Sequence, residues 1–395
     1  MIEKKIIDRE ISGYLKSLVG KFPVITITGP RQSGKTTLAK SLFKDMDYIN
    51  LENPEEREYA VDDPRGFLKR IPHGAILDEI QRAPHLLSYI QVIVDDRNWR
   101  GAFILTGSQQ FELMHAIDQS LAGRTALLNL LPLSLSELKG YHTYSSVNEM
   151  LHKGFYPGIF DRKLDPSQAY GDYYETYVER DIRKLLNIKN LSQFRKFVKL
   201  CAGRIGQVLN LSNIGNDIGI SHTTIREWMS ILEASFIVFL LEPFFKNIGK
   251  RLVKSPKIYF YDVGLAAYLL GIEKETFLEN HPLRGNIFEN LVMMEILKYR
   301  YNSGKKNNLN FYRDSAGNEV DVIYNIAQKA AAIEIKAAET IGSDFFKGLH
   351  AFAGTFPEVL MEKAVVYGGD ITETRRGTYI CNIHGIKEFL NRFNT

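Results

Sequence analysis

The feature that most constrains this 395-residue chain is a phosphate-binding loop pattern near its start. Residues 29–36 read GPRQSGKT and fit G-x-x-x-x-G-K-[ST]. The apolar run VITIT at 24–28 predicts a buried parallel strand, and TLAKSLF at 37–43 predicts a helix. A strand, a glycine-containing loop and a helix start bring backbone N–H groups and the positive end of the helix dipole together. The pattern therefore predicts a nucleotide phosphate site within an α/β domain.

Each residue type in the loop has a chemical reason. Glycines let the backbone wrap a phosphate without a Cβ in the way. Lys35 can reach the β and γ phosphates, and Thr36 offers a hydroxyl to Mg²⁺. Thr37 is either a further phosphate contact or simply the first helical turn. ATP and Mg²⁺ are the expected ligands, and the expected nucleotide contacts are Gly29, Pro30, Arg31, Gln32, Ser33, Gly34, Lys35, Thr36 and Thr37.

Polar residues that suit nucleotide hydrolysis follow two further apolar strands. The run GAIL at 74–77 ends in Asp78, which would hold Mg²⁺ through water, and Glu79, which would orient the attacking water. The run FILT at 103–106 ends near Ser108; Thr106 or Ser108 resembles the γ-phosphate sensor of additional-strand P-loop ATPases. Arg124 resembles an arginine finger or sensor, acting in its own subunit or a neighbour's, and a plain surface arginine is the alternative.

Composition and charge place few limits on the partners. The net charge of +4 permits a local basic face but does not by itself indicate nucleic-acid binding. Two cysteines and the lack of C-x-x-C or H-E-x-x-H patterns suit a reducing cytoplasm. The N-terminus lacks the apolar core of a signal peptide, and the longest apolar run, at 235–241, is too short to span a membrane. We therefore expect a cytoplasmic chain without a membrane partner.

The order of the element patterns predicts three domains, all within an α/β fold class. Residues 1–140 alternate strand and helix patterns, with a last strand at 127–133, and predict a parallel sheet. Residues 141–255 are mostly helical, and strand patterns return over 256–395.

The middle region contains a helix-turn-helix pattern at 211–229, in which Gly219 suits the turn and Ser221 suits the N-cap. Strand patterns at 236–241 and 257–261 would complete a winged helix. Such a fold either inserts its second helix into a DNA major groove or braces neighbouring domains; Glu227 and Glu233 would repel phosphate. The predicted DNA contacts are Ser221, His222, Thr223 and Arg226.

Charged residues interrupt a predicted meander at 310–313, 318–324 and 331–337. Strand alternation puts Glu334 and Lys336 on one face, and Asp321 precedes Glu334 by a hairpin's length. The pattern D-x12-E-x-K resembles the PD-(D/E)XK nuclease superfamily, in which two carboxylates hold Mg²⁺ and the lysine polarises a water. Glu289 would complete that site, so the four side chains should converge. The alternatives are an edge hairpin with solvated charges, or a fold retained as a binding scaffold.

The ordered motifs GPRQSGKTT, ILDEIQ, LTGS and SLAGR resemble prokaryotic AAA-like P-loop ATPases that carry a C-terminal domain of unknown function. YVERDI, YDVGL and NEVD continue the similarity over nearly the whole chain. The resemblance implies ATP binding, a winged-helix middle and a restriction-endonuclease-like end, but it names no substrate.

Three functions compete on these observations. The first is an ATPase that couples its nucleotide state to nucleic-acid binding or cleavage. The second is an ATP-dependent switch whose nuclease-like domain is a non-catalytic scaffold. A small-molecule kinase is disfavoured by Glu79 and by the long C-terminal half. A homo-oligomer, in which Arg124 acts on a neighbour's nucleotide, stays open.

Overall fold

The computed structural model describes residues 6–97, 99–108, 117, 119–182, 190–244 and 255–393. The chain divides into two compact units. The first comprises Met1–Tyr141, Ala234–Phe236 and Arg300–Lys305, and the second comprises His142–Glu233, Ile237–Tyr299 and Lys306–Thr395. The predicted three-domain division at 140 and 255 stays a prediction.

The first unit is built on a five-stranded, all-parallel sheet in the order β2-β3-β4-β1-β5. Strand β4 lies between β1 and β3, so an additional strand separates the strand before the phosphate loop from the strand that ends in Asp78. The elements are α1 (Ser12–Val19), β1 (Val24–Thr28), α2 (Lys35–Leu42), β2 (Asp47–Asn50), α3 (Pro54–Asp62), α4 (Pro64–Lys69), β3 (Ala75–Asp78), α5 (Leu86–Arg97), β4 (Phe103–Gly107), β5 (Thr125–Asn129) and α6 (Leu135–Leu138).

Burial accounts for the apolar residues in this sheet and just beyond it. All five residues of β1 are buried, as expected for a central parallel strand covered on both faces. The predicted last strand at 127–133 is wrong in its bounds: β5 pairs with β1 from Thr125 to Asn129 and stops where β1 stops. Leu130 and Leu131 remain buried beyond the strand end, so their apolar character reflects burial rather than strand pairing.

The second unit begins with helices and ends in a six-stranded sheet. A π-helix at Tyr174–Ile182 continues α9, within the stretch that the sequence predicts as helical. The elements are α7 (Val147–Lys153), α8 (Pro157–Asp161), α9 (Pro166–Tyr173), α10 (Leu191–Ala202), α11 (Leu211–Ile218), α12 (His222–Ala234), β6 (Val238–Leu241), β7 (Lys257–Phe260), α13 (Val263–Leu269), α14 (Arg284–Asn302), β8 (Leu309–Arg313), β9 (Glu319–Ile326), β10 (Lys329–Lys336), α15 (Lys347–Thr355), β11 (Leu360–Tyr367), β12 (Glu373–Arg375), β13 (Thr378–Cys381) and α16 (Ile386–Asn391).

Helices α11 and α12 form the predicted helix-turn-helix. Gly219 ends α11 with a φ of 76°, a left-handed conformation that glycine adopts without strain. The Ser221 hydroxyl oxygen accepts a hydrogen bond from the Thr224 backbone N–H at 3.2 Å, which caps α12. The antiparallel pair β6 and β7 follows. These elements are consistent with a winged helix, which stays a proposal.

The C-terminal sheet has the order β12-β13-β11-β10-β9-β8. Strands β8, β9 and β10 form the predicted antiparallel meander, and β10, β11 and β13 run parallel. Helix α15 packs on this sheet through Leu349 and Phe352. Within the described part of the chain, no helix combines the length and the apolar character needed to cross a bilayer.

Candidate functional site

The phosphate loop joins the C-terminal end of β1 to the first turn of α2. Gly29 has a φ of 147°, and a Cβ there would collide with the Leu130 carbonyl oxygen. Gly34 is left-handed, with a φ of 96°, at the N-cap of α2. Ser33 and Lys35 are buried, whereas Gln32 and Thr37 are exposed. The Ser33 hydroxyl is buried without a hydrogen-bond partner, so the loop contains an unsatisfied polar group.

The ammonium of Lys35 is folded over its own loop. Its Nζ donates to the carbonyl oxygens of Gly29 at 3.1 Å and Pro30 at 2.8 Å. Burial lowers the pKa of Lys35 to about 8, although the nearby carboxylates of Glu79 and Asp78 oppose that shift. The loop therefore holds a buried cation, which suits an anionic ligand.

Asp78, at the end of β3, is the centre of a hydroxyl network. Its carboxylate accepts from Thr36 Oγ1 at 3.0 and 2.9 Å, from Tyr48 OH at 2.8 Å and from Thr106 Oγ1. Burial, and then this hydrogen bond to Asp78, raise the pKa of Tyr48. The Thr36 hydroxyl and Asp78 carboxylate are the hard oxygen ligands that Mg²⁺ prefers, so the residues present fit that ion.

Glu79 follows Asp78 in a left-handed conformation, with a φ of 57°, which is costly for a non-glycine residue and is often found at functional sites. Its Oε2 accepts from Ser108 Oγ at 3.1 Å and from Gln81 Nε2. The Glu79 backbone N–H donates to Thr106 Oγ1 at 3.3 Å. The structure thus brings Ser108, from the tip of β4, to the carboxylate of Glu79.

Arg124 lies apart from these residues in its own chain. The Val24 N–H, at the first residue of β1, donates to the Arg124 carbonyl at 3.3 Å, whereas the phosphate loop follows the last residue of β1. The five residues of β1, at about 3.3 Å each, put the start of that strand roughly 15 Å from the phosphate loop at its other end. The guanidinium instead pairs with both Asp95 carboxylate oxygens, at 2.6 and 2.8 Å. The geometry therefore contradicts a role for Arg124 at its own nucleotide and leaves the role at a neighbour's.

Sequence reasoning missed three residues that shape this site. Arg9 donates to the carbonyls of Ser33 at 2.8 Å and Leu131 at 2.6 Å, and pairs with the Glu137 carboxylate at 3.0 Å. Arg9 carries no local motif, so nothing near it in the sequence indicates the loop. The sequence around Tyr48 and Gln81 does not indicate their partners; in the structure Tyr48 OH donates to Asp78 and Gln81 Nε2 donates to Glu79.

A second cluster lies in the other unit, where the structure brings the predicted C-terminal residues together. Glu334 and Lys336 share a face of β10 and pair at 2.6 Å. Asp321 Oδ2, on β9, accepts from the Ile335 N–H at 2.8 Å. Burial, and then Asp321, raise the pKa of Glu334 to about 8; the same two causes raise that of Glu289, on α14, to about 7. All three carboxylates therefore share one electrostatic environment.

Two of the predicted magnesium ligands contact a lysine that the sequence analysis overlooked. Lys257 is the first residue of β7, and its side chain is 2% exposed. Its Nζ lies 2.9 Å from Glu289 Oε1, 2.5 Å from Glu319 Oε1 and 3.5 Å from Asp321 Oδ1. Among the residues described, no group of three or more His, Cys, Asp or Glu side chains is arranged to hold a metal ion. The expectation that Glu289, Asp321 and Glu334 lie ready to share Mg²⁺ is therefore corrected, because an ammonium lies between the first two.

The protonation of Lys257 follows from its neighbours. Burial by itself would lower its pKa. Tyr259, Glu289 and the two acidic residues of β9 outweigh burial and raise the pKa well above its usual range. A charge inside the apolar run KIYF is the signal that could have identified Lys257, as it did for Asp321.

The predicted DNA contacts lie together at the start of α12. The side chains of Ser221, His222, Thr223 and Arg226 are exposed. Ile225, Met229 and Leu232 are buried on the other side of the helix, as their spacing predicts. Glu227 is also exposed beside Arg226, so the surface is of mixed charge.

Family models match three successive stretches of the chain. They are an AAA domain at residues 21–139, the domain of unknown function DUF8612 at 144–276 and the domain of unknown function DUF4143 at 284–386. The uncharacterized proteins Rv2008c of Mycobacterium tuberculosis and Mb2031c of Mycobacterium bovis are each 30% identical to this chain over 336 residues, covering 84% of it and 74% of each relative.

This chain belongs to the same family as these two mycobacterial proteins. The AAA-domain match confirms the predicted resemblance to AAA-like P-loop ATPases in the N-terminal part, and the C-terminal part matches a domain of unknown function.

Two solved structures show weaker similarity. The Walker-type ATPase paby2304 of Pyrococcus abyssi shares 15% identity, covers 68% of this chain and 99% of its own, and gives a TM-score of 0.41. The RuvB Holliday junction branch migration motor of Thermotoga maritima shares 18% identity, covers 60% of this chain and 92% of its own, and gives a TM-score of 0.33.

Proposed function

We propose that this member of the AAA-like family binds ATP with Mg²⁺, hydrolyses it, and couples its nucleotide state to nucleic-acid binding or cleavage. Hydrolysis is supported by three groups that lie together at the C-terminal ends of the parallel strands. They are the buried ammonium of Lys35, the hydroxyl–carboxylate pair of Thr36 and Asp78, and the carboxylate of Glu79.

Each group has a separate task in this proposal. Lys35 exchanges its two carbonyl acceptors for phosphate oxygens when ATP binds. Thr36 and Asp78 would hold Mg²⁺, which would neutralise phosphate charge when bound. Glu79 accepts a hydrogen bond from the attacking water and orients it, while Ser108 and Gln81 fix the position of its carboxylate.

The exposed start of α12 supports the nucleic-acid part of the proposal. DNA bound at α12 would favour one nucleotide state of the protein. We therefore expect DNA to increase the rate of phosphate release from ATP. His222→Ala/Arg226→Ala should lose that increase and keep the basal rate. The test is phosphate release with and without duplex DNA, with the exposed Lys274→Ala as the charge control. A basal rate that DNA leaves unchanged would contradict coupling to this ligand.

The second candidate, an ATP-dependent switch with a non-catalytic nuclease-like domain, is favoured by Lys257. An ammonium already lies between Glu289 and Asp321, where a nuclease of this type would hold its metal. The same DNA, followed on a gel with Mg²⁺ or Mn²⁺, separates the candidates: nicking that Asp321→Asn abolishes supports a nuclease, and intact DNA supports the scaffold.

Arg124 gives a test of assembly. We expect Arg124→Ala to lower turnover about 100-fold or more with little change in ATP affinity, because an arginine finger acts on transition-state charge. Mixing Arg124→Ala with Glu79→Gln protein should then restore part of the phosphate release, since some interfaces would combine an intact Arg124 with an intact Glu79.

Asp95→Asn is the matched control for Arg124, because it breaks the same ion pair and keeps the guanidinium. If Asp95→Asn lowers turnover as much as Arg124→Ala, the pair has a structural role. Normal turnover in Arg124→Ala would leave the residue as surface charge.

A further inference from the structure

We propose that Lys257 is a tethered cation that fills a carboxylate site in the C-terminal part and keeps divalent cations out of it. The proposal deepens the scaffold candidate above and is independent of ATP hydrolysis. It predicts that the site becomes a divalent-cation site once the ammonium is removed.

The contacts of Lys257 resemble those of a bound ion. An ammonium has three N–H donors, and three carboxylates from α14 and β9 lie within 3.5 Å of Nζ. Tyr259 OH donates to the same Glu289 oxygen at 2.5 Å, which fixes that carboxylate in place. The Phe311 ring lies 5.6 Å from Nζ and covers the ammonium with a cation-attracting face.

The charge balance shows why this position demands a cation. Four carboxylates form the cluster, namely Glu289, Glu319, Asp321 and Glu334. Lys257 contacts three of them and Lys336 pairs with the fourth, while Arg313 reaches Glu319 only from a half-exposed position at 3.6 Å. Without Lys257, Glu289 and Asp321 would face each other across a buried site with no positive charge between them, which is costly.

Glu334 provides a second observation that points to a cation. It is 5% exposed, and its Oε2 is buried without a hydrogen-bond partner. A buried carboxylate oxygen is rarely left unsatisfied in a folded protein. A divalent ion held by Asp321 and Glu334 would satisfy this oxygen, and Lys257 opposes such an ion because its ammonium lies 3.5 Å from Asp321 Oδ1.

Tethering explains why Mg²⁺ should not displace the lysine. A group on a short tether has an effective local concentration on the order of millimolar or higher. A divalent ion that displaced Lys257 would also leave a buried ammonium without its three acceptors, because the Lys257 side chain is 2% exposed. The intact chain should therefore favour its own ammonium over the free ion.

The experiment measures Mn²⁺ binding by electron paramagnetic resonance on the full chain, without nucleotide and with Asp78→Asn to remove the metal ligand of the phosphate loop. We expect Lys257→Met to bind one Mn²⁺ at least tenfold more tightly than the parent. Lys274→Met, which removes the same charge from an exposed position outside the cluster, is the matched control and should stay close to the parent. Adding Asp321→Asn to Lys257→Met should abolish the gain.

Thermal unfolding of the same proteins gives a second readout. Lys257→Met should unfold at a lower temperature than the parent, and Mn²⁺ should raise that temperature only in the variant.

Equal Mn²⁺ affinity in the parent and Lys257→Met would overturn the proposal. If Lys257→Met does not fold, the comparison is between the parent and Asp321→Asn. Loss of Mn²⁺ binding in Asp321→Asn would show that Lys257 does not exclude the ion, and equal Mn²⁺ binding in the two proteins supports exclusion. Because no nucleotide is present, these results stand apart from those on ATP hydrolysis.

Discussion

Lys35→Ala is expected to weaken ATP binding by about 100-fold, because a hydrogen bond to a charged group contributes roughly 1.5–3 kcal/mol and each 1.4 kcal/mol is tenfold in affinity. Among the described side chains of the loop, Lys35 is the buried cation. Its loss also removes the ammonium donor from the Gly29 and Pro30 carbonyls. Titration with a fluorescent ATP analogue at pH 7, where Lys35 is protonated given its pKa of about 8, measures the change.

Lys44→Ala is the matched control, since it removes an exposed lysine shortly after α2 and leaves the loop contacts intact. It should bind ATP within about twofold of the parent, as surface changes usually have small effects. Unchanged affinity in Lys35→Ala would reject the phosphate-loop interpretation.

Glu79→Gln is expected to lower turnover by about 100-fold or more while ATP affinity stays within about threefold. A positioned general base contributes roughly 10² to 10⁴ in rate, and glutamine cannot accept the water's proton. The groups proposed to hold Mg²⁺ are separate from Glu79, because the Asp78 carboxylate is hydrogen-bonded to Thr36 and Tyr48. Phosphate release under saturating ATP gives the rate, and the fluorescent analogue gives the affinity.

The control for Glu79→Gln is Glu55→Gln, an exposed change of the same kind on α3. It should leave both quantities unchanged. A Glu79→Gln protein that hydrolyses ATP at the parent's rate would assign the catalytic base to another residue and leave the Ser108 contact as a structural one.

Local sequence predicted the elements that depend on neighbours along the chain. The loop, the strand end at Asp78, the cap at Ser221 and the alternation of Glu334 and Lys336 are all short-range patterns. Each follows from backbone geometry within one or two elements, so a single sequence is enough to place it.

Contacts between distant segments could not be predicted in the same way. Lys257 meets Asp321 across 64 positions of the chain, and Arg9 meets Glu137 across 128. No spacing rule links such pairs, because strand order and helix packing decide them. Arg124 shows the same limit. Its sequence context resembles that of an arginine finger, but the parallel register of β5 with β1 places it at the end of the strands opposite the phosphate loop.

The Arg9 contacts have a practical consequence for isolating the ATP-binding part. A fragment cut at the matched AAA limits, 21–139, would keep Glu137 but lose Arg9 and all of α1. Glu137 would then lose its guanidinium partner in a buried position, the Ser33 carbonyl would lose a donor, and the core would lose Leu15 and Leu18. A minimal ATP-binding fragment must therefore begin before Arg9 and extend past Glu137, and one that begins at residue 21 will misreport the affinity of the intact loop.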